Sequence, residues 1–173
     1  MIMSPRLRKF ALAAHVTFSV GWIGAVAAFV ILSVAGLARP SAQVVRAAYL
    51  AMEPITWFVI IPMAFASLLT GIVSSLGTRW GLFRYYWVVV KLLITILSTI
   101  ILLVHVQPIE TLAGAAAKTS AMGADYHSAQ ILMVTASCAA LVALLVLTVL
   151  SVYKPRGVTP YGSRKQQKPR APS

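Results

Sequence analysis

Three histidines and one lysine are the residues whose side chains could do chemistry within the apolar stretches of this sequence. His15 lies in the first apolar stretch, Lys91 and His105 lie in the third, and His127 begins the fourth. Imidazole nitrogens bind metal ions and the iron of haem, whereas a lysine ammonium has no lone pair and binds iron only after losing a proton. The four side chains therefore indicate a haem or metal site, provided that the fold brings them together.

Helical spacing places Lys91 and His105 on one face of the third stretch. Lys91, Thr95, Ser98 and His105 follow each other at intervals of 4, 3 and 7 residues. The 14 steps from Lys91 to His105 leave them about 40° apart around a helix and about 21 Å apart along its axis. Because lipid offers polar groups no hydrogen-bond partner, we expect this face to look into a helix bundle.

Two polar levels follow from the distance of each residue to the nearest basic loop. His15 and Lys91 each lie roughly 10 Å inside their basic boundary, at 1.5 Å per residue. Thr70 of the second stretch falls near the same inner level, and Trp22 continues the polar and aromatic stripe of His15. We expect Lys91, His15 and Thr70 to share a pocket that faces the bundle interior.

The outer level contains the other two histidines. His105 closes the third stretch and His127 opens the fourth, so we expect them to approach each other across the outer end. The candidate metal ligands are thus His15, His105 and His127. The candidate cofactor contacts add Lys91, Trp22 and Thr70 to these three histidines.

Each polar residue also has a structural interpretation. Lys91 is close enough to the interface to extend its ammonium group back to the lipid headgroups. His15 could bond a backbone carbonyl of a neighbouring helix, and His105 and His127 could be solvated residues at the edges of loops. The pairing of these residues into two levels is what favours a functional site.

The elements that must position these side chains are four membrane-spanning helices. The chain has 173 residues, of which 60% are hydrophobic and 10% are charged, against roughly 25% charged residues in a soluble domain. About 20 apolar residues cross a bilayer, and four stretches qualify: Phe10 to Leu37, Ile55 to Gly77, Tyr85 to Val106, and Ser128 to Tyr153. The first is too long for the apolar region of a signal peptide. We expect short helices in the two loops that follow the first and third spans.

The basic residues indicate the orientation. Of the 15 lysines and arginines, 11 lie in the N-terminal segment, the loop between spans two and three, and the C-terminal tail. The positive-inside rule places both termini in the cytoplasm. The membrane topology thereby explains the net charge of +12. We expect no binding of nucleic acid, since the sequence contains no nucleic-acid-binding motif beside the basic residues. We expect a membrane domain over residues 1–153 and a basic tail over 154–173 that is disordered or attached to lipid.

Four antiparallel helices with inward histidines are suited to haem b, because apolar walls cover the macrocycle and imidazoles ligate its iron. His15 is the expected axial ligand. Lys91 is expected either opposite it or as a partner of a haem propionate.

Two segments carry a resemblance to known membrane proteins: "HVTFSVGWIGAVAAF" from His15, and "WVVVKLLITILSTIILLVH", which contains Lys91. They resemble the first and third helices of a set that includes the four-helix-core membrane protoporphyrinogen oxidases and the copper-resistance D-type membrane proteins. Over spans one to three the chain is similar to a family of small bacterial integral membrane proteins of unknown function. In the oxidases the first-helix histidine and third-helix lysine are functional and associated with haem, which the resemblance implies for His15 and Lys91.

The chain departs from the oxidases after the first helix. There it reads "FVILSVAGLARP" and lacks their arginine and their tyrosine-histidine continuation. The resemblance therefore implies haem binding more than it implies oxidation of protoporphyrinogen.

We therefore expect an all-α, four-helix antiparallel bundle in the bacterial inner membrane. It would bind haem b for redox or electron-transfer chemistry with a redox partner. One alternative is a small metal-handling or transport protein that uses His105, His127, Glu110 and Asp125 as cation ligands. Another is a non-catalytic accessory subunit of a membrane complex. Homo-oligomerisation is left open.

Overall fold

The described part of the chain is helical throughout its regular elements. The computed structural model describes residues 3–38, 41–78, 81–118, 124–155 and 157–167. The helices are α1 (Pro5–Ala38), α2 (Ala42–Ile55), α3 (Ile61–Leu76), α4 (Tyr86–Val104), α5 (Val106–Lys118), α6 (His127–Tyr153) and α7 (Pro160–Gln167). The all-α prediction is confirmed.

Four helical segments are long and apolar enough to cross a membrane. They are Pro5–Ala38, Ala42–Leu76, Tyr86–Lys118 and His127–Tyr153. Each covers one predicted span except for the end residues Gly77 and Tyr85, and the second and third extend well beyond the prediction. Their many exposed large apolar side chains, such as Phe10, Phe58 and Tyr153, suit a surface surrounded by lipid.

The bundle is antiparallel and is built around α1, which packs against α2, α3 and α6. Trp22, Val26 and Phe29 of α1 are all buried in the core. Helix α4 packs against α3 and α6. Both described chain ends lie at the loop between α3 and α4, where Met3 N bonds Gly77 O and Thr159 N bonds Arg84 O. We call this the basic end, and the opposite end, with all three acidic residues, the acidic end.

A π turn joins α2 to α3 into one continuous rod. It covers Thr56–Ile60 and is separated from Pro62 by Ile61. Because proline has no N–H, the carbonyl four residues before it loses its helical partner. The hydrogen-bond ladder widens there, and Ile61 N–H bonds Thr56 O, five residues back. Pro62 is therefore accommodated by a π turn within a continuous helical rod.

A second proline interrupts the third rod. Pro108 has no N–H group to donate to Val104 O. The helix breaks at His105, the residue after Val104, and continues as α5. Helices α2 and α5 then pack against each other at the acidic end. Tyr49, Met52 and Leu112 are almost completely buried there. The helices predicted in the two loops thus exist, and their apolar faces bury each other as a cap on the bundle.

The C-terminal segment corrects one prediction. Residues 154–173 were expected to be disordered or attached to lipid, yet residues 157–167 are folded against the loop before α4. The Thr159 hydroxyl donates to Phe83 O at 2.6 Å, and Thr159 N donates to Arg84 O at 3.0 Å. Helix α7 follows at once. Docking uses backbone groups instead of apolar side chains, so hydropathy could not show it. Residues 156 and 168–173 lie outside the described residues.

Candidate functional site

His15 is fixed on α1 by hydrogen bonds to α3. Its Nδ1 lies 3.1 Å from Ser67 O and 3.2 Å from Thr70 Oγ1. A carbonyl only accepts hydrogen bonds, so Nδ1 carries the proton and Nε2 keeps its lone pair. Gly71 of α3 provides the room, because a Cβ there would lie 3.1 Å from the imidazole Cε1. The predicted proximity of His15 and Thr70 is confirmed.

Lys91 reaches from α4 to α6. Its Nζ donates to Ser151 Oγ at 2.5 Å and lies 5.8 Å from the centre of the Trp87 ring. The Ser151 hydroxyl in turn donates to Leu147 O at 2.7 Å. The side chain is therefore held within the bundle by a neighbouring helix, as its helical phase predicted.

His15 and Lys91 line the same small cavity, which we call the polar chamber. Its volume is about 60 Å³. The remaining walls come from α1, α3, α4 and α6: Ser19, Trp22, Ile23, Ser67, Thr95, Leu144, Leu147, Thr148 and Ser151. The Ser19 and Ser67 hydroxyls bond each other at 2.8 Å. Thr70 is hydrogen-bonded to His15 but is not among the residues that line the chamber.

A larger cavity lies between α1, α4 and α6, and we call it the lateral cavity. Its volume is about 360 Å³, and its walls are almost entirely apolar. Leu97 and Ile101 line it and are also exposed on the bundle surface, so it opens sideways toward lipid. Trp22 and Leu144 line both cavities. The two cavities are thus neighbours along the bundle axis.

His105 lines the lateral cavity from the helix break between α4 and α5. Its Nδ1 lies 2.8 Å from Ile101 O, so this nitrogen also carries the proton. No described residue bonds its Nε2. His105 therefore offers a free lone pair, in the tautomer that metal-binding histidines usually adopt when a carbonyl holds the other nitrogen.

His127 has different surroundings. It is the first residue of α6, it is exposed, and it lines neither cavity. The predicted approach of His105 and His127 stays a prediction.

The acidic end contains no evident cation site in the part of the chain that is described. No three His, Cys, Asp or Glu side chains there form a group suited to a metal ion. Glu110, one of the proposed ligands, accepts a hydrogen bond from Trp57 Nε1 at 3.2 Å.

Sequence reasoning missed the contribution of α6 to both cavities. Ser151 bonds Lys91, and Met133 and Leu144 line the lateral cavity. A signal existed, because Met133, Ser137, Leu144 and Ser151 follow each other at intervals of 4, 7 and 7, which keeps them on one helical face.

Fold and cavities together define a class of protein: a helical bundle with four candidate membrane-spanning segments, a polar chamber and a lateral apolar cavity. Comparison with protein-family profiles, curated proteins and solved structures gave no match for this chain. The site is therefore interpreted from its own geometry.

Proposed function

We propose that this multi-pass membrane protein binds haem b in the lateral cavity, with His105 as an axial ligand, for redox or electron-transfer chemistry. One observation carries the proposal. A histidine whose Nε2 is free of hydrogen bonds from the described residues lines an apolar cavity of about 360 Å³. Cofactor and ligand cavities commonly range from about 300 to 1,000 Å³ and are mostly apolar.

The residues present fit a haem better here than at the predicted position beside His15. The polar chamber, at about 60 Å³, has the space of about two liquid waters, which is far too small for a macrocycle. The lateral cavity is six times larger and offers apolar walls from Phe29, Ile94 and Leu144. We therefore propose His105, and not His15, as the ligand of the haem iron.

Met133 is the proposed second ligand. Its side chain is buried on α6 and lines the same cavity. Imidazole and thioether groups both ligate haem iron in proteins, and a thioether ligand would raise the reduction potential of the iron. When bound, haem b would supply one-electron chemistry, and the protein would hold it, exclude water and set its potential.

The absorption spectrum of the purified protein tests the proposal. After expression with ample haem, wild-type protein in mild detergent should show a Soret band. His105→Ala should lose it, whereas His127→Ala, the matched control at the same end of the bundle, should keep it. Met133→Leu should retain haem with an altered spectrum.

Two results would contradict the proposal. Wild-type protein without a Soret band would remove the haem function and favour an accessory subunit. Full haem retention by His105→Ala would remove the assigned ligand.

A further inference from the structure

Lys91 places a positive charge in the bundle far from every acidic side chain of the chain. The only three acidic residues are Glu53, Glu110 and Asp125, and all lie at the acidic end. The remainder of α4 alone separates Lys91 from that end by about 20 Å. Intramembrane charges normally pair with an opposite charge or mark a binding site. No side chain can supply this partner.

Hydrogen-bond accounting shows what the polar chamber lacks. The hydroxyls of Thr95, Thr148 and Ser151 each donate to a carbonyl of their own helix. Lys91 has three N–H groups and uses one on Ser151. Ser19 and Ser67 have two hydroxyl hydrogens between them, and one of these forms the hydrogen bond that joins the two side chains.

The chamber therefore has spare donors and an uncompensated positive charge. Its spare acceptors among the described residues are His15 Nε2 and the lone pairs of the hydroxyl oxygens, and these neutral groups do not compensate the charge of Lys91. This combination suits a ligand that is negatively charged and accepts several hydrogen bonds at once.

The size of the chamber limits the ligand. About 60 Å³ corresponds to about two liquid waters, which is room for a carboxylate group or another anion of that size. We infer that the polar chamber binds one carboxylate-sized monovalent anionic group, with Lys91 as its counter-ion and the Ser19–Ser67 pair as a hydroxyl donor. The proposal goes beyond haem binding and does not depend on it.

Two sources could supply this anionic group. A small soluble carboxylate could enter from the basic end, or, in the haem-free protein, a fatty acid could enter from the bilayer, with its chain following the lateral cavity past Trp22 and Leu144. The chemistry at Lys91 is the same in both cases. Acetate and laurate separate the sources, and dodecanol, which has the laurate chain without its charge, controls for the chain.

The test measures the melting temperature of haem-free protein in dodecyl maltoside with sulfate as the buffer anion. At a concentration near 100 times the dissociation constant, acetate or laurate should raise the melting temperature by about 5 °C, and dodecanol should not. A rise with acetate assigns a soluble anion, and a rise with laurate alone assigns a lipid-borne one. No rise with either overturns the inference.

Two variants test whether the rise in melting temperature depends on Lys91. Lys91→Gln should lose the rise, and Lys9→Gln, which removes an exposed charge at the same end, should keep it. An unchanged rise in Lys91→Gln would overturn the inference.

A second variant keeps the test independent of how Lys91→Gln folds. Thr148→Asp places a carboxylate in the chamber wall, so it should abolish the acetate response, whereas Thr148→Asn, which has the same shape without the charge, should keep it. A retained acetate response in Thr148→Asp would also overturn the inference. Because all readouts use haem-free protein, their failure leaves the haem proposal standing.

Discussion

His15 and Lys91 are 76 positions apart in the chain and line one chamber, the first fixed to α3 and the second to α6. Each is thus held by a helix other than its own. His15 thus connects α1 to α3, and Lys91 connects α4 to α6, so the two side chains join the four helical rods in two pairs. The polar contacts of the chamber therefore act on the packing of the bundle as well as on any ligand.

The Lys91–Ser151 hydrogen bond should contribute measurably to stability. Ser151→Ala leaves the ammonium group without its hydroxyl partner, and removal of a hydrogen bond to a charged group costs about 1.5–3 kcal/mol. A fall in melting temperature of about 3–12 °C is expected for a chain of this length. Thr135→Ala, which removes an exposed hydroxyl bonded only to its own helix, is the matched control and should change little. Equal effects of both variants would contradict this role of Ser151.

The cap at the acidic end depends on a close approach of α1 to α2. A Cβ on Gly36 would lie 2.5 Å from Cζ of the Tyr49 ring, which is almost fully buried. Gly36→Ala should therefore destabilise the protein by about 1–3 kcal/mol through overpacking. At Gly24 nothing lies within 4 Å of such a Cβ. Gly24→Ala should be neutral or stabilising, as alanine is favoured over glycine within a helix. Thermal melts of the two variants compare them directly.

The C-terminal segment should be held in place by Thr159. Thr159→Val keeps the shape of the side chain but removes its hydrogen bond to Phe83 O, at a cost of about 0.5–1.5 kcal/mol. The segment should then be released more often, and trypsin should cleave after Arg164 and Lys165 several times faster. Thr135→Val is the control. An unchanged cleavage rate would show that other contacts hold the segment.

Both termini are predicted to be cytoplasmic. The structure puts the two described chain ends at the same end of the bundle, and the excess of basic residues there assigns that end to the cytoplasm. A fluorescent reporter fused after Ser173 should be active in the cytoplasm, and alkaline phosphatase inserted between residues 120 and 121, in the connection between α5 and α6, should be active outside it. The reverse pattern would invert the topology.

Helical periodicity predicted the parts of the site that lie on single helices. The phase of Lys91 and the proximity of His15 to Thr70 follow from spacing and from distance to the basic boundary. Periodicity gives the direction of a side chain around its own axis, but it does not give the rotation of the neighbouring helix. For that reason Ser151 and Met133 were missed.

The lateral cavity and the docked C-terminal segment were outside the reach of sequence reasoning for a different reason. A cavity arises where facing side chains fail to fill the space between helices, which depends on interhelical distances. The contacts of Thr159 use backbone carbonyls that every residue has, so no residue type marks them. Pro62 and Pro108, which have no N–H group, are local sequence signals for the π turn and for the helix break.

The sideways opening of the lateral cavity between Leu97 and Ile101 determines how an occupant would arrive. A hydrophobic molecule would first partition into the bilayer and then reach the opening by diffusing in two dimensions. Its mole fraction among the lipids, not its aqueous concentration, would set the occupancy. In detergent, the same molecule is diluted by the micelle volume, so apparent affinity should weaken as detergent is added even though no contact with the protein has changed.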